Sequence, residues 1–174
     1  MRTLCAILLC FISANTLSKE LHYVGLQYED QDVDGISLDG YTAQWRGVFG
    51  EKVAVFSQFS DLSVNSVEVR AKSVGLDVAF GSFAEGSPYI GMSVGEVKAL
   101  GVDASQTVFA LGFAKYSGSG LDYDISAQYD EESSETIFNF LIRGSFGETG
   151  AGWSFGAATD GDDHSQSIGV NYLF

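Results

Sequence analysis

From Leu121 to Tyr129 the chain alternates with a period of two. Leu121, Tyr123, Ile125, Ala127 and Tyr129 are interleaved with Asp122, Asp124, Ser126 and Gln128. A helix scatters two such sets around its axis, whereas a strand sends one to each face. The pattern recurs. Val74, Leu76, Val78 and Phe80 alternate with Gly75, Asp77, Ala79 and Gly81; Ile90, Met92 and Val94 with Gly91, Ser93 and Gly95; Phe109, Leu111 and Phe113 with Ala110, Gly112 and Ala114. Phe138, Phe140 and Ile142 oppose Asn139 and Arg143, with Leu141 out of pattern, and Trp153, Phe155 and Ala157 oppose Ser154 and Gly156. A soluble sheet hides its bulky face under a second layer, and no helix candidate here supplies one. The remaining solution is an all-β, closed, antiparallel up-and-down transmembrane barrel. Its bulky face meets lipid and its small or polar face surrounds a narrow, filled lumen.

The composition agrees. Charged residues make up 18% of the chain, below the ~25% usual in soluble domains. The mean hydropathy of +0.10 is the average expected when alternate residues face lipid and lumen. A formal net charge of −14 argues against nucleic acid as a partner, because phosphate backbones demand Lys and Arg.

The first residues read differently. Met1-Arg2-Thr3 is a short basic start, Leu4 to Ile12 an apolar core, and Ser13, Ala14, Thr16 and Ser18 are small or polar. Residues 1–18 are therefore expected to be a secretory signal peptide, cleaved after Ala14 or after Ser18, with residues 19–174 forming the barrel. Its apolar run falls short of the ~20 residues a membrane helix needs. Both cysteines, Cys5 and Cys10, lie in this segment, so the mature chain carries none. Leu9 before Cys10 departs from the small residue of a lipoprotein site.

Two kinds of connection alternate. Gly47–Gly50, Ser82–Gly86, Ser117–Gly120 and Gly147–Gly150 are short and glycine-rich. Glu29–Gly35, Asp61–Ser66, Val102–Ser105, Asp130–Glu135 and Asp160–His164 form the second, acidic set. Tight turns on one side and longer polar loops on the other are the periplasmic and outer ends of such barrels. The segments number about ten, with eight as the alternative, each of about 9–11 residues.

The last strand carries the sharpest motif, Ser167-x-Gly169-x-x-Tyr172-x-Phe174. Ile168, Val170, Tyr172 and Phe174 form one outward row, with its aromatics at the membrane interface. This motif resembles the assembly signal of Gram-negative outer-membrane proteins. Across nearly the whole mature chain, the pattern resembles small barrels of the OmpA/OmpX or porin-like type. The resemblance implies a cell outer-membrane location, contact with membrane lipid and lipopolysaccharide, and recognition by the barrel assembly machinery. Functions within that group range from adhesion to small channels and lipid- or peptide-directed enzymes, so the fold leaves the role open.

Several residues are candidates for a site. Lumen-facing Arg46, Asp77, Asp122, Asp124 and Arg143 are expected to cross-link the interior, plugging it, with a narrow passive channel as the alternative. Arg70, Lys72 and Lys98 continue two outward rows above the hydrocarbon, where they offer a basic patch to lipopolysaccharide phosphates, partly offset by Glu96. Asp30-x-Asp32-x-Asp34-Gly35 has oxygen ligands at alternate positions, like the opening of a calcium loop. The twelfth position is Tyr41 instead of Glu, so an acidic hairpin is the expectation and no metal is assigned. His164 beside Asp160, Asp162 and Asp163, and His22 near the first strand, read as ordinary histidines more readily than as a rim enzyme. The expectation is thus a monomeric barrel without catalytic residues or cofactor, serving a structural or surface-interaction role.

Overall fold

The alternating segments become strands because each can bury its small face inward only by joining a closed sheet. The computed structural model describes residues 21–174 apart from 34, 65, 66, 119 and 148. In chain order the strands are β1 (Leu21–Val33), β2 (Ile36–Phe49), β3 (Val53–Val64), β4 (Val67–Ala79) and β5 (Ser87–Ala99). They continue as β6 (Val102–Lys115), β7 (Leu121–Asp130), β8 (Thr136–Ser145), β9 (Ala151–Thr159) and β10 (His164–Leu173). Each pairs antiparallel with its sequence neighbours, and β1 pairs with β10 to close the barrel. Ten, not eight, is the strand count. Closure removes sheet edges that lipid cannot satisfy. The expected signal segment, including both cysteines and both cleavage positions, lies outside the described residues.

The outward rows match the pattern in the sequence. Val74, Leu76, Val78, Ile90, Met92, Val94, Leu111, Ile125, Phe138, Ile168 and Val170 are all exposed on the outer wall. Leu141, out of pattern in its strand, sits on the inward row opposite Asp124.

Glycine on the inward face has a packing reason. Phe56 stands opposite Gly75, Asp77 opposite Gly91, and Tyr89 opposite Gly112 in the strand register. Each of these larger side chains lies over the neighbouring glycine. A Cβ on Gly112 would come within 2.6 Å of the Tyr89 ring. Small residues thus make room in a lumen too narrow for large side chains on every strand.

Two expectations about the ends are corrected. β7 to β10 have the expected length, at 9 or 10 residues, but β1 to β6 run to 12–14. Much of the acidic sequence is strand, not loop. Glu29–Val33 belongs to β1, Asp61–Val64 to β3 and Val102–Ser105 to β6. The ladder closes at Val33↔Ile36, Val64↔Val67 and Ala99↔Val102, so three acidic-end connections are tight hairpins. The longer connections include residues 80–86 and 116–120 at the glycine-rich end. Acidic composition marked solvent exposure there, and exposed residues sit equally well on a strand that rises above the lipid.

The polarity of the wall records that rise. Above the membrane belt, β3 to β6 point Leu62, Val64, Val67, Val69 and Val97 inward. Asp61, Glu68, Arg70, Lys72, Glu96, Lys98 and Asp103 point outward. The apolar face switches from outside to inside where its neighbour changes from lipid to water. β6 rises beyond its neighbour β7, with which pairing stops at Val108↔Asp130, so the rim is high on one side and low on the other.

Candidate functional site

The interior divides into three layers along the barrel axis. The middle layer is a packed floor toward the glycine-rich end. Tyr116 and Phe83 are completely buried there, alongside Tyr23 and Tyr89. Phe83 comes from the connection between β4 and β5. Its amide donates to the Glu51 carbonyl at 2.8 Å, and its own carbonyl accepts from the Tyr116 amide at 2.8 Å. That connection is thereby drawn in between the β2–β3 turn and the end of β6.

Three strands supply the charges on the upper side of this floor. The Arg46 guanidinium (β2) donates to Asp77 (β4) at 2.7 Å and lies 3.7 Å from Asp124 (β7). It also stacks over Phe56 at 4.8 Å and Tyr116 at 4.9 Å, so its faces as well as its edges are engaged. Asp124 accepts hydroxyl hydrogen bonds from Tyr89 at 2.7 Å and from Tyr116. On the lower side, the Tyr23 hydroxyl donates to Asp122 at 2.5 Å. Asp122 also accepts from the Ser117 amide and hydroxyl, both at 2.8 Å. Arg143 lies over the Tyr23 ring at 5.5 Å and donates to Gln44 at 3.3 Å. All five lumen residues singled out in the sequence therefore occur in the floor, in two groups. Arg46, Asp77 and Asp124 form one, and Asp122 and Arg143 flank Tyr23 in the other. Two guanidinium groups face three carboxylates, and the tyrosine hydroxyls supply the remaining donors.

The four aromatic members went unread in the sequence. Tyr89 lies on the inward row of Gly91, Ser93 and Gly95, and Tyr116 follows Ala114 by two residues, so parity alone could have found both. Phe83 sits in a connection, where no periodicity reports direction.

Above the floor a cavity of about 290 Å³ reaches toward the acidic rim. Its polar lining includes the amides Gln27, Gln44, Gln58, Gln106, Gln128 and Asn139, and hydroxyls such as Ser60, Ser126 and Ser167. Phe56, Val108, Ile137 and Leu141 add apolar patches. Below the floor, a second cavity of about 440 Å³ is lined by Tyr23, Asp122, Arg143 and the ends of β1 and β10.

The other candidates lie on the outer wall or rim. Arg70 pairs across the strands with Lys98, and Lys72 with Glu96. Each cation already holds a carboxylate. Arg70 lies 2.7 Å from Glu68 and 3.4 Å from Asp61, Lys72 2.6 Å from Glu96, and Lys98 2.8 Å from Glu96 and 2.7 Å from Asp103. Asp30 and Asp32 stand on the outward row of β1. Asp32 accepts from the Gly35 amide at 3.0 Å and Asp30 from the Ser37 hydroxyl at 3.2 Å, while Asp34 lies outside the described residues. Among the described residues no group of His, Cys, Asp and Glu is arranged to hold a metal ion. His164 opens β10 opposite Asp32, on the outer wall. His22 is buried against Trp45, Phe49 and Phe174 at the glycine-rich end.

In the assembly motif, Tyr172 and Phe174 stack at 6.3 Å on the outside, and Ser167 and Gly169 face inward. Phe174 and His22 exchange backbone hydrogen bonds at 3.1 and 3.3 Å, completing the seam between the two ends of the chain.

No family model and no curated protein matches this sequence. Solved structures do. A KdgM porin structure is similar over 87% of this chain and 99% of its own, with 10% identity and a TM-score of 0.50. The outer membrane protein OprG from Pseudomonas aeruginosa is similar over 89% and 95%, with 14% identity and a TM-score of 0.47. The shared property is the outer-membrane barrel fold, which the closed ten-strand sheet and its apolar outer wall display directly.

Proposed function

We propose that this outer-membrane β-barrel is a monomeric, non-conducting protein with a structural and surface-interaction role. The observation that carries this reading is the floor. Tyr116 and Phe83 are fully buried across the interior, and Arg46 of β2 is held by Asp77 of β4 and Asp124 of β7. A hydrated ion would have to open an ion pair and displace two rings in one event. A single chain closes its own sheet, which supports the monomer. His164 on the outer wall, away from the lumen, supports a role without catalysis.

Purified protein in planar bilayers tests the reading. The wild type is expected to give no stable current steps, whereas Phe83→Ala, checked for the boil-dependent band shift of a folded barrel, should conduct. Stable steps from the wild type would make it a channel. That second reading draws on the cavities above and below the floor, which leave one packed layer as the whole barrier.

The patch of Arg70, Lys72 and Lys98 is our proposed contact for lipopolysaccharide phosphates, on the ground that the three cations stand together above the apolar belt. Glu68, Glu96, Asp61 and Asp103 compete for the same donors. Neutralising the three cations should lower the lipopolysaccharide retained on purification, and Glu96→Gln, which frees Lys72 and Lys98, should raise it. No change in either variant would remove the proposal.

A further inference from the structure

The cavity above the floor has a lining unlike the floor itself. Its charged members lie at its ends. Arg46, Asp77 and Asp124 belong to the floor, and Glu29 near the mouth accepts from the Thr42 hydroxyl at 2.6 Å. Between them, among the described residues, no Lys or Arg occupies an inward position. Lys72 touches the cavity from β4, but its ammonium points outside to Glu96. An anionic solute therefore meets no free cation and passes carboxylates to enter.

The cavity offers neutral amides and hydroxyls instead. Several of these bond one another, as the Gln128 amide does in donating to the Ser126 hydroxyl at 3.4 Å. Two do not. The Gln44 and Asn139 side-chain NH2 groups are buried and have no hydrogen-bond partner in the protein. The Gln44 carbonyl is held by Arg143 at 3.3 Å, which orients its amide. Both nitrogens are closed off inside the wall, so a ligand meets the other lining amides, such as Gln106 and Gln128, and the serine hydroxyls. An amide has a donor and an acceptor side by side, which suits vicinal hydroxyl groups. Phe56, Val108, Ile137 and Leu141 supply the apolar surface that the C–H face of a sugar ring needs. The volume, about 290 Å³, lies at the small end of the ~300–1,000 Å³ of ligand pockets.

From this geometry we infer that the cavity is a binding cup for a small neutral saccharide or polyol, entering from the acidic rim and stopping on the Arg46 floor. The inference deepens the reading of a closed lumen and rests on it only for the ligand's stopping point.

The test uses the full barrel in detergent-free lipid nanodiscs, with methyl glucoside and glucuronate as a neutral and an anionic probe of the same ring. Saturation-transfer NMR titrations should show saturable binding of methyl glucoside and binding of glucuronate roughly tenfold weaker. Replacing two lining amides, Gln106→Leu with Gln128→Leu, should weaken methyl glucoside binding roughly tenfold. Should that pair fail to fold, Gln128→Lys is decisive, because a cation in the cup should raise glucuronate affinity. Absence of saturable methyl glucoside binding would overturn the inference, as would stronger binding of glucuronate or indifference to the substitutions. Vesicle swelling in the same sugar separates the two readings. Binding with swelling leaves the cup intact and refutes the closed floor, whereas binding without swelling supports both.

Discussion

At the residue scale, the most consequential group is Arg46. Its side chain is largely removed from solvent, and its charge is balanced by Asp77 at 2.7 Å and Asp124 at 3.7 Å. A buried charge tolerates partner loss poorly, because the desolvation cost stays after the attraction has gone. Asp77→Ala is expected to lower the free energy of unfolding by about 3 kcal/mol, read as a shift in the urea midpoint of the vesicle-embedded barrel. The double variant Arg46→Met with Asp77→Leu should cost less than that single change, since it removes both charges together. A double variant less stable than Asp77→Ala would show that the floor depends on Arg46 for its ring contacts more than for its charge.

At the element scale, the hairpins at the acidic end explain why β1 to β6 outgrow the membrane. The turn between β5 and β6 has two residues, Leu100 and Gly101, with φ of 53° and 78°. Both angles are positive, the conformation that matches the right-handed twist of a hairpin and for which Asn-Gly is the favoured pair. Leucine in that position works against its own Cβ, at a cost of about 1 kcal/mol or more. Its side chain is 79% exposed, so no packing offsets the strain. Leu100→Asn should therefore stabilise the barrel by about 1 kcal/mol in the same urea assay, with unchanged band mobility. An unchanged or lower midpoint would mean that the tip is held by contacts beyond this hairpin.

On the scale of the whole molecule, closure depends on the two chain ends meeting. β10 pairs with β1 from Tyr23↔Leu173 to Asp32↔His164, and Phe174 continues the seam by backbone bonds to His22. The Phe174 ring stacks on His22 at 5.7 Å and on Tyr172 at 6.3 Å. Deleting Phe174 should slow refolding into vesicles, seen as slower appearance of the compact unboiled band, by removing the last rung of the closing ladder and its aromatic anchor. Phe174→Tyr should preserve the rate. Equal rates for the deletion and the wild type would confine the role of this residue to recognition in the cell.

The architecture was legible in the sequence because a strand's period of two is a local property. Bulky rows such as Ile90, Met92 and Val94, and small rows such as Gly91, Ser93 and Gly95, mark the two faces without knowledge of any partner. The same parity placed Arg46, Asp77, Asp122, Asp124 and Arg143 on the lumen side. It could not say which would meet, because Arg46 and Asp77 are brought together by registers across β2, β3 and β4. Nor could it find Phe83, which enters the floor from a connection, or the unpaired amides of Gln44 and Asn139, which depend on where every other side chain ends. Acidic stretches read as loops because composition reports solvent, and only the hydrogen-bonded ladder shows whether solvent-exposed residues are paired. Sequence by itself determined the faces, the barrel and its membrane belt. Tertiary structure decided the height of the wall, the floor and the lining of the cup, since these depend on contacts between residues far apart in the chain.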